Sequence, residues 1–205
     1  MRALILIDIQ NDFMPWGSVG IEKSDEVIPI ANSLMEQFDL VIATQDWHPA
    51  NHKCFAANHP WRLPGQVMEI NGLPQLLWTI HCVQDSLGAE LVNELATDKV
   101  LKIIQKGTNL EVDSYSAFFE NDRLKSNGLE EYLKEKGIKE VFITGLAAEF
   151  GVKHSAIHAA QLGLKTNVII DACRWSDASK ENINKNVSEM ESSHINIVYS
   201  TAFDT

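Results

Sequence analysis

Hydrophobic residues in this chain gather in short, nearly continuous runs, separated by segments whose apolar positions recur at helical spacing. Residues 3–7, 40–43, 141–144 and 168–170 are apolar, rich in β-branched side chains and bounded by polar residues. Runs of that length without polar alternation read as strands buried on both faces of a parallel sheet. Residues 101–104 and 195–199 are less sharply bounded strand candidates. Between them, Val27, Ile28, Ala31, Leu34, Met35 and Phe38 repeat at helical spacing behind Ser24 and Asp25, residue types that cap helix starts. Residues 129–136 form a second helical pattern ending at Gly137. Val152, Ala156, Ala159 and Ala160 form a third, ending before Gly163, and both glycines suit a helix stop. Strands alternating with helices imply right-handed crossovers. The pattern therefore predicts an α/β fold, three-layer and doubly wound, with a mainly parallel six-stranded sheet and helices on both faces. Residues 47–88 fit neither period and are rich in Pro, His, Asn and Trp; a loop that long in a compact domain is usually functional.

A length of 205 residues with 45% hydrophobic content suits one domain spanning 1–205. The net charge of −11, spread along the chain, argues against nucleic acid and anionic membrane surfaces as partners and favours a small neutral or cationic ligand. Residues 3–7 amount to half a signal-peptide core, end in Asp8 and lack a cleavage site. No other apolar stretch approaches the roughly 18 residues of a membrane span. Cys54, Cys82 and Cys173 do not make a paired disulfide framework, which fits a reducing, cytoplasmic setting.

In an open parallel sheet the ligand crevice lies beyond the carboxyl ends of the strands. Asp8 ends the first run, Asp46 and His48 follow the second, Lys106 and Gly107 follow residues 103–104, and residues 145–151 lead from a strand into a helix. Asp46 and His48, two apart, point to one side of an extended backbone and could share a divalent ion with His81, or they could cap the turn before Pro49. His52 and His59 read as supporting or surface residues, and Cys82 as either a soft ligand or a small buried hydrophobe. Buried Asp8 calls for a cationic partner, and Lys106 fits; such a pair is structural, or it tunes the acid for proton transfer. The segment 145–151 is either an ordinary strand-to-helix turn or a set of N–H groups facing a developing oxyanion.

Taken together, residues 7–13, 44–49 with His52, Leu77-Trp78 with residues 81–84, residues 106–108, 113–119 and 145–147 resemble the bacterial nicotinamidases, or pyrazinamidases, of the isochorismatase-like hydrolase superfamily. The resemblance covers nearly the whole chain, and six segments in one order make it specific. It implies a hydrolase of pyridine nucleotide salvage that deamidates nicotinamide or a related pyridine carboxamide. Asp8 matches the catalytic acid/base and Lys106 its partner. Asp46, His48 and His81 match ligands of one divalent metal ion, zinc ahead of iron or manganese, completed by water and contacting the ring nitrogen. Phe13 and Trp78 match the residues that sandwich the ring, with Tyr115 and Leu146 also at the substrate. Leu146–Ala147 matches a cis peptide, and the N–H groups of Ala147 and residue 151 match an oxyanion hole. A homo-oligomer remains open.

The chain departs from that pattern chiefly at residue 151, with Glu149 in place of the more usual aspartate a minor change. The cysteine nucleophile of nicotinamidases falls at Gly151, which has no side chain to attack with, and Ser155, one turn on, would point away. Three readings follow: a nicotinamidase by descent that is inactive or crippled, an isochorismatase-like vinyl-ether hydrolase, or a non-catalytic metal-dependent binder of nicotinamide or other pyridines. Isochorismatases share the glycine but lack the Asp-x-His motif, which counts against the second.

Overall fold

The computed structural model describes residues 1–203. In chain order the elements are β1 (Arg2–Ile7), α1 (Val27–Met35), β2 (Leu40–Asp46), β3 (Val67–Ile70), β4 (Leu73–Leu76), β5 (Lys102–Lys106), α2 (Leu129–Glu135), β6 (Glu140–Gly145), α3 (Lys153–Gln161), β7 (Lys165–Cys173), α4 (Lys180–Ser192) and β8 (Asn196–Val198). Six strands make one sheet in the order β5-β2-β1-β6-β7-β8, and every pairing in it is parallel.

Alternation along the strands divides the core into two layers. Leu4 and Leu6 of β1 and Val41 and Ala43 of β2 pack against Val27, Ala31 and Leu34 of α1. Ala3, Ile5 and Ile7, with Leu40 and Ile42, face the other way onto Leu129 and Leu133 of α2, Ala156 and Ala159 of α3, and Met190 of α4. Both faces of the sheet are thus covered, which is why its inner strands read as unbroken apolar runs. Gly137 and Gly163 end α2 and α3 at left-handed φ values of 64° and 82°, as their positions predict.

The structure differs from the pattern in four places. Strands β2 and β5 outlast their apolar runs and end on Asp46 and Lys106, because the parallel ladder between them continues through polar residues. Ser24 does not cap α1; its hydroxyl lies 2.8 Å from the carbonyls of both Phe13 and Ile21, and the chain enters α1 through a 3-10 turn. Within residues 47–88 a short antiparallel hairpin, β3–β4, stands apart from the main sheet. Helix α4 has no counterpart in the pattern, since only Asn186 and Met190 of its thirteen residues are buried. Among the described residues no helix is long and apolar enough to cross a membrane.

Candidate active site

The order β5-β2-β1-β6 brings four carboxyl ends side by side, and the strand order reverses between β1 and β6, where open parallel sheets hold their ligands. β1 stops at Asp8, which takes a left-handed φ of 50°, tolerated better by Asp than by most residues. Thr44 secures this turn: its hydroxyl donates to Asp8 Oδ1 at 2.5 Å and accepts the Asp8 N–H at 3.1 Å. Asp46 and Lys106 are register partners on adjacent strands, so their side chains emerge together. Lys106 Nζ reaches Asp8 Oδ2 at 2.8 Å, also contacts Asp46 Oδ1, and donates to the Ser114 carbonyl at 3.2 Å.

All three charged groups are almost fully buried. Burial pushes the Asp8 carboxyl up to about 6 against the pull of Lys106, with the charge of Asp46 adding to the rise. Burial also opposes charge on Lys106, yet Asp46 and Asp8 together hold its ammonium firmly protonated. For Asp46 burial is again outweighed, here above all by Lys106, so it stays ionised. Two carboxylates around one lysine therefore divide into a fixed anion and a carboxyl that exchanges its proton near neutrality.

His48 Nδ1 sits 3.0 Å from the Gly107 carbonyl and His81 Nδ1 2.8 Å from that of Thr79. Each carbonyl fixes the proton on Nδ1, leaving both Nε2 lone pairs 3.8 Å from Asp46 Oδ2. The three donors lie within 4.8 Å of one another, which suits a divalent ion with open positions for water or ligand. Gly107 permits this fit: at φ 65°, a Cβ there would lie 2.3 Å from the His48 ring. A second group, His48, His52, Cys54 and Asp113, is also compact, and in it His52 Nε2 is buried without a hydrogen-bond partner among the described residues, while its other polar atoms are partly engaged. His52 Nδ1 accepts the Cys54 N–H, and the Asp113 oxygens accept from Ser114 N and Gln75 Nε2. Cys82 packs in the core as a small hydrophobe, and His59 bonds the Lys53 carbonyl outside the site.

Asp8, Lys106, His48 and His81 open onto one pocket of about 470 Å³, together with Phe13, Trp78, Tyr115, Ala147 and Gly151. Phe13 and Trp78 both stand edge-on to His81, with ring centres 5.5 and 6.2 Å away, and Trp78 contacts Tyr115. Leu146 does not line the pocket. It is fully buried in the core layer facing α1, because its N–H bonds the Ile7 carbonyl at 2.9 Å and draws it beneath the sheet edge.

The Leu146–Ala147 peptide is trans, contrary to expectation; the described residues contain no cis peptide. The turn is made instead by Gly145 at φ 120°, where a Cβ would lie 2.2 Å from the Ile7 carbonyl oxygen. The Ala147 N–H has no protein acceptor among the described residues. A π-helical turn, Ala148–Val152, then leads into α3; such wide turns recur at functional sites. Gly151 lies in it with φ outside the left-handed region, and its Cβ position would be 3.2 Å from Asp8 Oδ2 and 2.7 Å from Ile7 Cγ2. Ser155 is fully buried with its hydroxyl accepting the Ala117 N–H, so it holds the 113–119 segment and faces no ligand.

Several residues to which the sequence assigned no role help to build the site. Glu149 accepts hydrogen bonds from Ser176 N, Ser176 Oγ and Asp177 N, pinning a loop whose Ser176 lines the pocket. Phe150, Val19 and Ile21 complete the apolar wall. Thr44 had a signal, its place two residues before Asp46 and hence on the same strand face. Ser176 had none, being set by the fold alone.

Residues 2–202 match the isochorismatase domain family. The chain is similar to the nicotinamidase of Acinetobacter baylyi, 46% identical over 175 residues that cover 85% of this chain and 82% of the relative. In structure it resembles the nicotinamidase/pyrazinamidase of Acinetobacter baumanii, with TM-score 0.94, 39% identity, and 98% and 97% of the two chains covered. It also resembles the pyrazinamidase of Pyrococcus horikoshii in complex with zinc, with TM-score 0.78, 33% identity, and 97% and 98% covered. Fold, pocket and likeness over almost the full length agree: the chain belongs to the isochorismatase family and, within it, to the nicotinamidase and pyrazinamidase amidohydrolases.

Proposed function

We propose that the pocket binds nicotinamide or a related pyridine carboxamide beside one divalent ion, and that residues 1–205 form one cytoplasmic amidase domain crippled by Gly151. The observation that carries this reading is that Asp46, His48 and His81 turn free donor atoms to one point, in the pocket that also receives the Asp8–Lys106 pair. Zinc is the first choice of ion, since the similar Pyrococcus horikoshii protein is a zinc complex. When bound, the ion would hold water and the ring nitrogen, and so orient the carboxamide.

The chain's own residues supply the rest. Phe13 and Trp78 bind the ring, and Tyr115 closes the pocket beside Trp78. Asp8, with its carboxyl near 6, takes a proton from the attacking group and returns it to departing ammonia. Lys106 stays charged and holds Asp8 in place. The N–H groups of Ala147 and Gly151 face the carbonyl oxygen as it becomes negative. What is missing is an attacking side chain: without a covalent intermediate, one difficult step replaces two easier ones.

Nicotinamide turnover on this chain, loaded in parallel with zinc, iron or manganese, tests the reading. Calorimetry should show nicotinamide binding, while ammonia release stays several powers of ten below an ordinary enzyme rate of about 10 per second. Turnover at the ordinary rate would overturn the crippled-enzyme reading. Absence of both metal uptake and nicotinamide binding would overturn the site.

A further inference from the structure

Strand β1 parts from β2 at Asp8, whose left-handed φ ends the ladder; the last parallel pair between them is Leu6 with Ala43. Strand β2 nevertheless runs on to Asp46. The N–H and C=O of Asp46 face the flank that β1 has vacated, where buried backbone groups need partners. Gln10 supplies them. Its Oε1 accepts the Asp46 N–H at 2.9 Å, and its Nε2 donates to the carbonyls of Asp46 at 2.9 Å and Ala89 at 2.8 Å. Fully buried, this one side-chain amide stands in for a peptide unit of the departed strand.

Two residues on, Asp12 acts on the other side of the cation site. Its Oδ2 accepts the N–H of Cys82 at 2.7 Å. Cys82 directly follows His81, holds a left-handed φ of 45°, and accepts the His48 N–H on its own carbonyl at 2.9 Å. One carboxylate thus fixes the backbone next to His81, on which the backbone of His48 docks. Gly88 makes room for it, since a Cβ there would lie 2.1 Å from Asp12 Oδ2. Neither Gln10 nor Asp12 lines the pocket.

We infer that Gln10 and Asp12 are positioning residues for the cation site: from one short segment after β1 they hold the backbones that carry Asp46, His81 and His48, and so set the convergence of the three ligand atoms. This rests on the reading of those three residues as ligands. Ligand atoms must be placed within about 0.2 Å for tight binding, and loss of an outer partner typically weakens metal affinity by about 10–100-fold.

The test is zinc affinity of the full chain, by competition with a chromophoric chelator, and the visible absorption spectrum after cobalt loading. The variants are Gln10→Met, Asp12→Ala and Asp12→Asn, each first checked by near-UV circular dichroism and thermal melting without metal. Gln10→Met and Asp12→Ala should bind zinc about 10–100-fold more weakly and alter the cobalt spectrum. Asp12→Asn keeps a carbonyl for the Cys82 N–H and should stay close to the parent in both. If the folded variants melt lower yet bind zinc with the parent's affinity and spectrum, the two residues are merely structural and the inference fails. If Gln10→Met does not fold, the contrast between Asp12→Ala and Asp12→Asn decides. A parent chain that takes up no zinc overturns the ligand reading itself, and the inference with it.

Discussion

Replacing Gly151 by cysteine should create or restore amidase activity, and the structure says how far and at what cost. The backbone does not forbid the change, because φ at Gly151 lies outside the left-handed region that would strain a side chain. The new Cβ would stand 3.2 Å from Asp8 Oδ2, which puts a thiol within proton-transfer reach of that carboxylate. Position 151 also lies at the entry to α3, whose dipole and nearby Lys106 favour a thiolate. The obstacles are Ile7 Cγ2 at 2.7 Å and the Leu146 carbonyl oxygen at 3.1 Å; to reach ordinary contact the methyl must withdraw by about 0.8 Å. Ile7 is fully buried in a central strand, so the strain is that of an overpacked core, about 1–3 kcal/mol. Each 1.36 kcal/mol left in the transition state is a factor of about ten, so strain could remove about one to two of the powers of ten that covalent catalysis adds. The assay is ammonia release from nicotinamide by metal-loaded parent, Gly151→Cys, Gly151→Cys with Ile7→Ala, and Gly151→Cys with Asp8→Asn. Gly151→Cys should exceed the parent by several powers of ten, the Ile7→Ala pair should exceed Gly151→Cys alone, and Asp8→Asn should abolish the gain. If both cysteine variants fold, bind metal and stay silent, the missing nucleophile is not what limits this site.

Three further outcomes are expected. Protein purified without chelator should carry about one divalent ion per chain; His48→Ala should lose it and His59→Ala should keep it, by elemental analysis, and less than about a tenth of an equivalent after offering each metal would refute the assignment. Trp78→Ala should abolish the calorimetric signal for nicotinamide while leaving metal content unchanged, because Trp78 touches His81 only edge to ring. Acid should destabilise the fold as pH falls from about 6.5 toward 4: burial, aided by Lys153 for His154 and by Arg123 for His158, lowers both side chains to about 4, so the unfolded chain binds their protons first. Above 6.5 this contribution is fully present, and Tm measured across the window should fall less in His154→Gln combined with His158→Gln.

Most of the sheet was legible because β1, β2, β6 and β7 are buried on both faces and so leave unbroken apolar runs. β5 was blurred by Lys102, Gln105 and Lys106, the polar residues of an edge strand, two of which face solvent. α4 left no stripe because it touches the core at so few points. The charged cluster was foreseeable from the rule that strand ends face the crevice, and the register then set Asp46 beside Lys106. What could not be read were contacts made by folding across distance: Ile7 against Gly151, Glu149 on the 176–177 loop, and the trans peptide after Gly145.

The site draws on Asp46 and Lys106 at the ends of β2 and β5, Asp8 just after β1, His48 and His81 in the long loop, and Gly151 in the π-helical turn after β6. The three candidate ligands fall within residues 46–81, but Asp46 takes its place from the pairing of β2 with β5 at Lys106, so the cation site is complete only once that long-range pairing is made. Closing the chain from His48 to His81, and from β2 to β5, is an entropic cost met before all three ligand atoms converge. Cation capture should therefore be a late kinetic event, its rate reporting completion of sheet pairing. Once captured, the ion should oppose those openings that separate β2 from the loop bearing His81, and leave amide exchange at the far edge strand β8 unchanged.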